Sequence, residues 1–310
     1  MCSLFLFGAY YLLANFGHAQ TPTLPLGIPL TTATVDVTVK YDPKEDIFAY
    51  SYSVSNSSQS VGEIDSFDLD ISTIVGGSSL SSNGLLNSAT GYHSLGTTKL
   101  AAQVEDATVP VGFHSQPLGW HSGSTAQFTA SWYGPLPPGG DIPPGQSLGT
   151  FVLTSHGPPG IRRVLVEPAY DPDDFMPSID ESSDEELQKT AVLIKAIPLA
   201  IRSLGFTVGP VQPPNLTDVG QLLDFVASLK HQAAALGWIS GPGADGVVQS
   251  LDAKLSAAKA SISSGDKKTA INQLNAFINE LQAQHGKAIS DNAFYLLQPN
   301  ALFVISKLGS

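Results

Sequence analysis

The rhythm of hydrophobic positions changes once along the chain, near residue 215. Before that point apolar residues recur at every second position: Val35, Val37 and Val39 in "ATVDVTVKYD", then Phe48, Tyr50, Tyr52 and Val54 in "IFAYSYSVSN". Successive side chains on a strand point to opposite faces of a sheet, so a period of two predicts strands with one buried face. The same reading places strands in "GEIDSFDLDI", "STAQFTASWY", "SLGTFVLTS" and "IRRVLVEPA". Turn clusters such as "GPLPPGGDIPPG" separate them, because Pro and Gly forbid a continuing helix. Short strands with no helical period between them point to an antiparallel β-sandwich of the immunoglobulin-like class over residues 25–175.

From Leu216 onward the spacing becomes three and four. Leu222, Leu223, Val226, Leu229 and Ala233 mark a first helix that Gly237 ends, and Val248, Leu251, Leu255, Ala258 and Ile262 mark a second that stops at Gly265. A third begins at Asp266, whose carboxylate can cap it, and carries Ile271, Leu274, Phe277, Ile278 and Leu281 on one stripe before Gly286. Two short segments, around Ser290–Leu297 and Ala301–Leu308, are expected on either side of "QPNAL". One apolar face per helix predicts a small all-α bundle over residues 215–310. Residues 176–214 read as an acidic and Pro-rich connecting segment. Within them "KTAVLIKAIPLAIRSLGF", broken by Pro198, reads either as a last strand of the sandwich or as a docking segment.

The helical part carries Gly237-Trp238-Ile239, Ser250-Leu251-Asp252-Ala253-Lys254-Leu255, Ala270-Ile271-Asn272-Gln273-Leu274, Asn275-Ala276-Phe277-Ile278-Asn279 and Gly286-Lys287. With these pieces in this order, residues 216–310 resemble the FIMAH domain, a small helical module of secreted bacterial proteins. The resemblance implies an exported architecture and an accessory role, and it brings no catalytic residues. The strand-rich half resembles exported bacterial β-sandwich modules only generically, which bears on fold and not on function.

Composition narrows the compartment. A chain of 310 residues with 42% hydrophobic residues suggests two domains with ordinary cores. The apolar run at the N-terminus, followed by Gly17 and Ala19, reads as a signal peptide over residues 1–19; a membrane-spanning helix needs about 20 apolar residues. Cys2, the only cysteine, would leave with it, so the mature chain is expected to have no disulfide and no thiolate chemistry. The expected location is outside the cell or on its surface, with no membrane insertion after cleavage. The net charge of −12 lies wholly before residue 215, where twenty acidic residues face eight basic ones. Nucleic acid, whose binding rests on neutralising phosphates, is excluded as a partner.

Two groups of residues carry candidate chemistry. Asp171, Asp173 and Asp174, with Asp180 and Glu181 nearby, supply hard oxygen ligands at calcium-loop spacing. The EF-hand pattern fails, since Met176 stands where Gly is needed and Ser182 where a bidentate Glu is needed; the plainer reading is a solvated acidic linker. Calcium is the one cofactor the sequence offers. In "VGFHSQPLGWHSG", residues 111–123, Trp120 can be a stacking platform for a sugar ring with His114 and His121 as polar contacts, and Trp132 is a second aromatic platform. The plainer reading is a Gly/Pro-rich loop whose Trp packs over the sandwich edge. Asn275 and Asn279 share a helix face, where hydrogen bonds to a loop are expected before ligand contacts. No H-E-x-x-H helix or Walker loop occurs. The residues thus suggest an exported, non-catalytic protein that binds or adheres to an extracellular polysaccharide or envelope component. A secreted glycan-acting hydrolase and a purely structural envelope protein are the alternatives.

Overall fold

The structure, a computed structural model, describes residues 32–60, 62–71, 111–125, 129–134, 141–168, 203–211 and 218–309. They fall within one compact unit of the chain, Pro29–Asp171 with Ile201–Ser310. Its strands are β1 (Ala33–Asp42), β2 (Ile47–Asn56), β3 (Ile64–Asp70), β4 (Val111–Ser115), β5 (His121–Thr125), β6 (Thr129–Tyr133), β7 (Ser147–Ser155), β8 (Pro159–Pro168) and β9 (Ser203–Pro210). Four helices follow: α1 (Val219–Ala235), α2 (Ala244–Ser263), α3 (Lys267–Gln284) and α4 (Asp291–Gly309).

The strands form two antiparallel sheets, in the orders β1-β2-β7-β4 and β5-β6-β3-β8-β9. The period of two is realised in β1 and β2, which pair without a break from Ala33↔Asn56 to Asp42↔Ile47. Val35, Val37, Val39, Phe48, Tyr50, Tyr52 and Val54 are all buried between the sheets. They meet Phe67 and Leu69 of β3, Trp132 of β6, Phe151 and Leu153 of β7, and Val164 and Val166 of β8. The two buried tyrosines keep their hydroxyls satisfied, Tyr50 donating to Gly157 O at 2.7 Å and Tyr52 to Val208 O at 3.0 Å. Gly209 makes room for this: a Cβ there would meet Leu69 and Arg162 at 3.0 Å and the Tyr52 hydroxyl at 3.3 Å.

The sandwich reaches beyond the expected boundary at residue 175. Ser203–Pro210, expected inside the connecting segment, is its last strand, paired with β8 from Pro159↔Pro210 to Val166↔Ser203. The stretch 111–123 is likewise not one loop. Val111–Ser115 joins the first sheet beside β7, and His121–Thr125 joins the second beside β6, so only residues 116–120 connect them.

The helices follow their apolar stripes. Asp218 caps α1 by accepting from Gln221 N at 3.1 Å, and Asp266 caps α3 by accepting from Thr269 N at 3.0 Å. Gly237, Gly265 and Gly286 end three helix-to-loop passages with φ of 74°, 80° and 73°, a region costly for any residue with a Cβ. Leu222, Val226, Leu251, Leu255, Leu274, Phe277 and Leu281 fill the bundle core. Between α1 and α2 the fully buried Lys230 ammonium pairs with Asp252 at 2.5 Å, and burial lowers its pKa. Between α2 and α3 Lys254 pairs with Glu280 at 2.6 Å.

The last helix departs from expectation. The chain does not break at "QPNAL": α4 runs through Pro299 as one helix. Proline's fixed φ suits a helix, and its cost is a missing N–H and a crowded carbonyl one turn back. Next to it, Asn300 Nδ2 donates to Leu296 O at 2.7 Å and also to Pro159 O of β8 at 2.8 Å. α4 is also buried on more than one side, packing against α1 and α3 and against β1, β8 and β9. A helix that is apolar all round is a buried helix, and this one is the shared wall of bundle and sandwich.

Candidate binding surface

The two tryptophans selected by sequence do not face solvent. Trp132 sits on β6 at the same parity as Ala130, which turns both inward; its ring stacks on Phe67 with centroids 4.5 Å apart and meets Phe113 edge-on at 5.6 Å. Trp120 packs edge-on to Phe151 at 4.9 Å. Their exposures, 0% and 3%, leave no ring face for a sugar. The plainer reading, Trp packed on the sandwich, describes Trp120. His114 and His121 are exposed, but on strands of different sheets. The exposed aromatic here is Tyr133, 39% accessible, opposite His121 in the β5–β6 register and lying over Gly123. Strand parity in "TASWY" carried that signal, since an inward Trp132 forces an outward Tyr133. Leu118, at the tip of the 116–120 connection, is fully exposed.

The outer face of the first sheet is more extensive. Small polar residues alternate with the buried ones, Thr34, Asp36 and Thr38 on β1 and Ser51, Ser53 and Ser55 on β2, until Lys40, Ile47 and Ala49 near the turn. β7 continues the face with Ser147, Val152 and Thr154, and β4 with Ser115. Charge is confined to the β1 edge, at Asp36, Lys40 and Asp42. Ser147 Oγ donates to Ser55 Oγ at 2.7 Å, and Ser115 Oγ donates to Thr150 O at 3.1 Å. Thr150 takes φ of 72° where β7 bulges against β2, an uncommon conformation for a residue with a branched Cβ. Over β2 and β7 the result is an uncharged array of hydroxyls, interrupted by Ala49 and Val152, each hydroxyl able to donate and accept.

A group of carboxylates lies at one end of the second sheet. Asp65 of β3 is raised to about 7, by burial first and then by the charges of Glu167 and Asp141. Asp141 is raised too, by burial and by Glu63. Asp65 Oδ1 and Asp141 Oδ1 are shielded from solvent and meet no donor among the described residues, although both residues are partly exposed. Among the described residues no three His, Cys, Asp or Glu side chains gather to hold a metal ion. The expected calcium ligands Asp171, Asp173, Asp174, Asp180 and Glu181 lie outside the described residues, as does the expected signal peptide. Of the two N-x-[ST] matches, Asn56 is buried, its amide donating to Gly62 O and Ile142 O at 2.9 and 2.8 Å; Asn215 lies outside the described residues. On α3, Asn275 and Asn279 are exposed.

Among the described residues no helix is long and apolar enough to cross a membrane. Residues 223–306 match the family model of the FIMAH domain, which spans α1 to α4 up to Ser306. The chain matches no curated protein.

Proposed function

We propose that this is an exported, non-catalytic binding protein whose contact surface is the hydroxyl-bearing outer face of the β1-β2-β7-β4 sheet. The observation that carries the reading is the composition of that face. Its two central strands present Ser51, Ser53, Ser55, Ser147 and Thr154, with Ala49 and Val152 among them and no charge, partly exposed on a sheet whose other side is an apolar core. Such a surface suits a neutral polymer that offers hydroxyls in return, as an extracellular polysaccharide or glycan-bearing envelope component does. Each exchange of a water contact for a hydroxyl contact contributes little, about 0.5–1.5 kcal/mol, so affinity would come from repetition along the polymer. Export agrees with the FIMAH match and with the apolar N-terminal run. Calcium on Asp171, Asp173, Asp174, Asp180 and Glu181 belongs to the same proposal.

The test is co-sedimentation of the mature chain with insoluble neutral polysaccharides and with cell envelopes, with calcium and with chelator. Retention that falls at least tenfold in a Ser51→Arg, Thr154→Arg double variant supports the sheet face. Undiminished retention moves the contact elsewhere, with Tyr133→Ala as the next variant. Soluble sugar released from the pellet would instead establish the hydrolase reading.

A further inference from the structure

Among the described residues β1 is the end strand of its sheet and is paired on one side. It is ten residues long, unbroken in register, with alternating valines. A long regular edge of this kind is a template for another strand, and proteins cover such edges or blunt them. Here β9 and β8 lie against β1, with Thr207 Oγ1 donating to Val35 O at 3.2 Å, and the last helix supplies further cover.

α4 runs along β1. Near its start Asp291 lies close enough to Asp36 to raise that carboxyl, after burial. Near its end Lys307 Nζ donates to Asp46 Oδ2 at 2.8 Å, in the β1–β2 turn. Between these, Phe303 packs edge-on to Tyr41 and Phe48 with centroids 5.6 and 5.5 Å apart, and the Tyr41 hydroxyl lies 2.8 Å from both Asp46 Oδ1 and Ser306 Oγ. Asn300 ties the helix to β8. A bundle that needed α4 only for its own core would leave these residues facing water.

We propose that α4 is a guard on the open edge of β1, and that it keeps the chain from pairing through that strand with a second copy of itself. An antiparallel β1–β1 pair has twofold symmetry and self-complementary valine faces, so one strand suffices to make the contact. The helical module thereby governs self-association, whatever the sheet face binds.

The test uses the full mature chain and a Phe303→Ala, Lys307→Ala double variant. Amide exchange of residues 33–42 reports whether the guard has lifted, and light scattering across a concentration series reports mass. The expected result is exchange at least tenfold faster in β1, with mass rising toward that of a dimer at concentrations where the wild type does not change. Adding Thr38→Lys on the open face of β1 should restore the wild-type mass. Faster exchange with unchanged mass overturns the proposal, as does unchanged exchange, or association that ignores Thr38→Lys. If the double variant fails to fold, Asp46→Asn alone removes the Lys307 anchor, and exchange and mass then decide in the same way.

Discussion

The sandwich and the bundle treat their buried polar groups differently. In the sandwich, Asn56 Oδ1, Asp65 Oδ1, Asp141 Oδ1 and Trp132 Nε1 are enclosed without a hydrogen-bond partner among the described residues. In the bundle the most deeply buried charge, Lys230, has Asp252 and the Val248 carbonyl, and buried Asn300 donates twice; Asn292 Oδ1 is its one comparable orphan among the described residues. The difference follows from how each part is built. In the bundle the partners come from the adjacent helix across a short loop, as Asp252 and Val248 O do for Lys230, or from one turn back, as Leu296 O does for Asn300. Sheet neighbours arrive from distant segments, so a group such as Asp65 is placed by register, between Glu167 and Asp141, whether or not the site suits its charge. Electrostatic sensitivity should therefore concentrate in the sandwich, and mechanical coupling in α4.

The largest effects test the coupling. Trp132→Ala in the sandwich and Phe277→Ala in the bundle should each cost about 3–5 kcal/mol, since each empties a fully buried aromatic site. With α4 as a common wall, both variants should shift the same denaturant transition of the intact chain. Two separate transitions, one moved by each variant, would break the comparison at its root.

Next comes an asymmetry at the buried pair. Asp252→Asn leaves a fully buried ammonium without its counter-charge and should cost about 3 kcal/mol, whereas Lys230→Met should cost much less, because Asp252 is 37% exposed and can be hydrated. Equal losses in urea melts would mean that the pair contributes by packing alone.

pH divides the sandwich from its junction with α4. Asp65 holds its proton to about pH 7 when folded but releases it near pH 4 when unfolded. The folded state therefore binds more protons across that window, and stability falls as pH rises through it. Asp65→Asn should flatten this slope, read as thermal midpoint against pH. Asp46 behaves oppositely: burial would raise it, but the hydrogen bonds from Lys307 and Tyr41 prevail and hold it low. Its contribution is present above the ordinary carboxylate range and is lost as pH falls below it. The smallest expected effect is local: Asp218→Ala removes the α1 cap and should cost about 1 kcal/mol, read by amide exchange in the first turn.

How much of this was legible in sequence depended on where the deciding partner lay. β1 and β2 were readable residue by residue, because alternation is a local property and both strands have one wet face. β5 was not, because "HSGST" has no apolar alternation and is held by pairing with β6. β9 was obscured by Gly205 and Gly209, which weaken the pattern, yet Gly209 is what lets the strand lie close to Leu69, Arg162 and Tyr52. The continuity of α4 through Pro299 could not be read from propensity, since burial on several sides and the amide of Asn300 sustain the helix there. At the candidate site, residue type misled where parity would have served: Trp132 invited a stacking role, while its place on the strand made it core and left Tyr133 outside. The hydroxyl face was present in the same alternation that revealed the core, read from its other side.

The position of α4 after all nine described strands also sets a clock. About a hundred residues separate β9 from its last turn, which at roughly 5–20 residues per second is on the order of 5–20 s of synthesis. For that interval a nascent sandwich would have its β1 edge without α4. Crowded chains emerging together would be at greatest hazard then, and slower translation of the helical module would lengthen the exposure without altering a single contact in the finished protein.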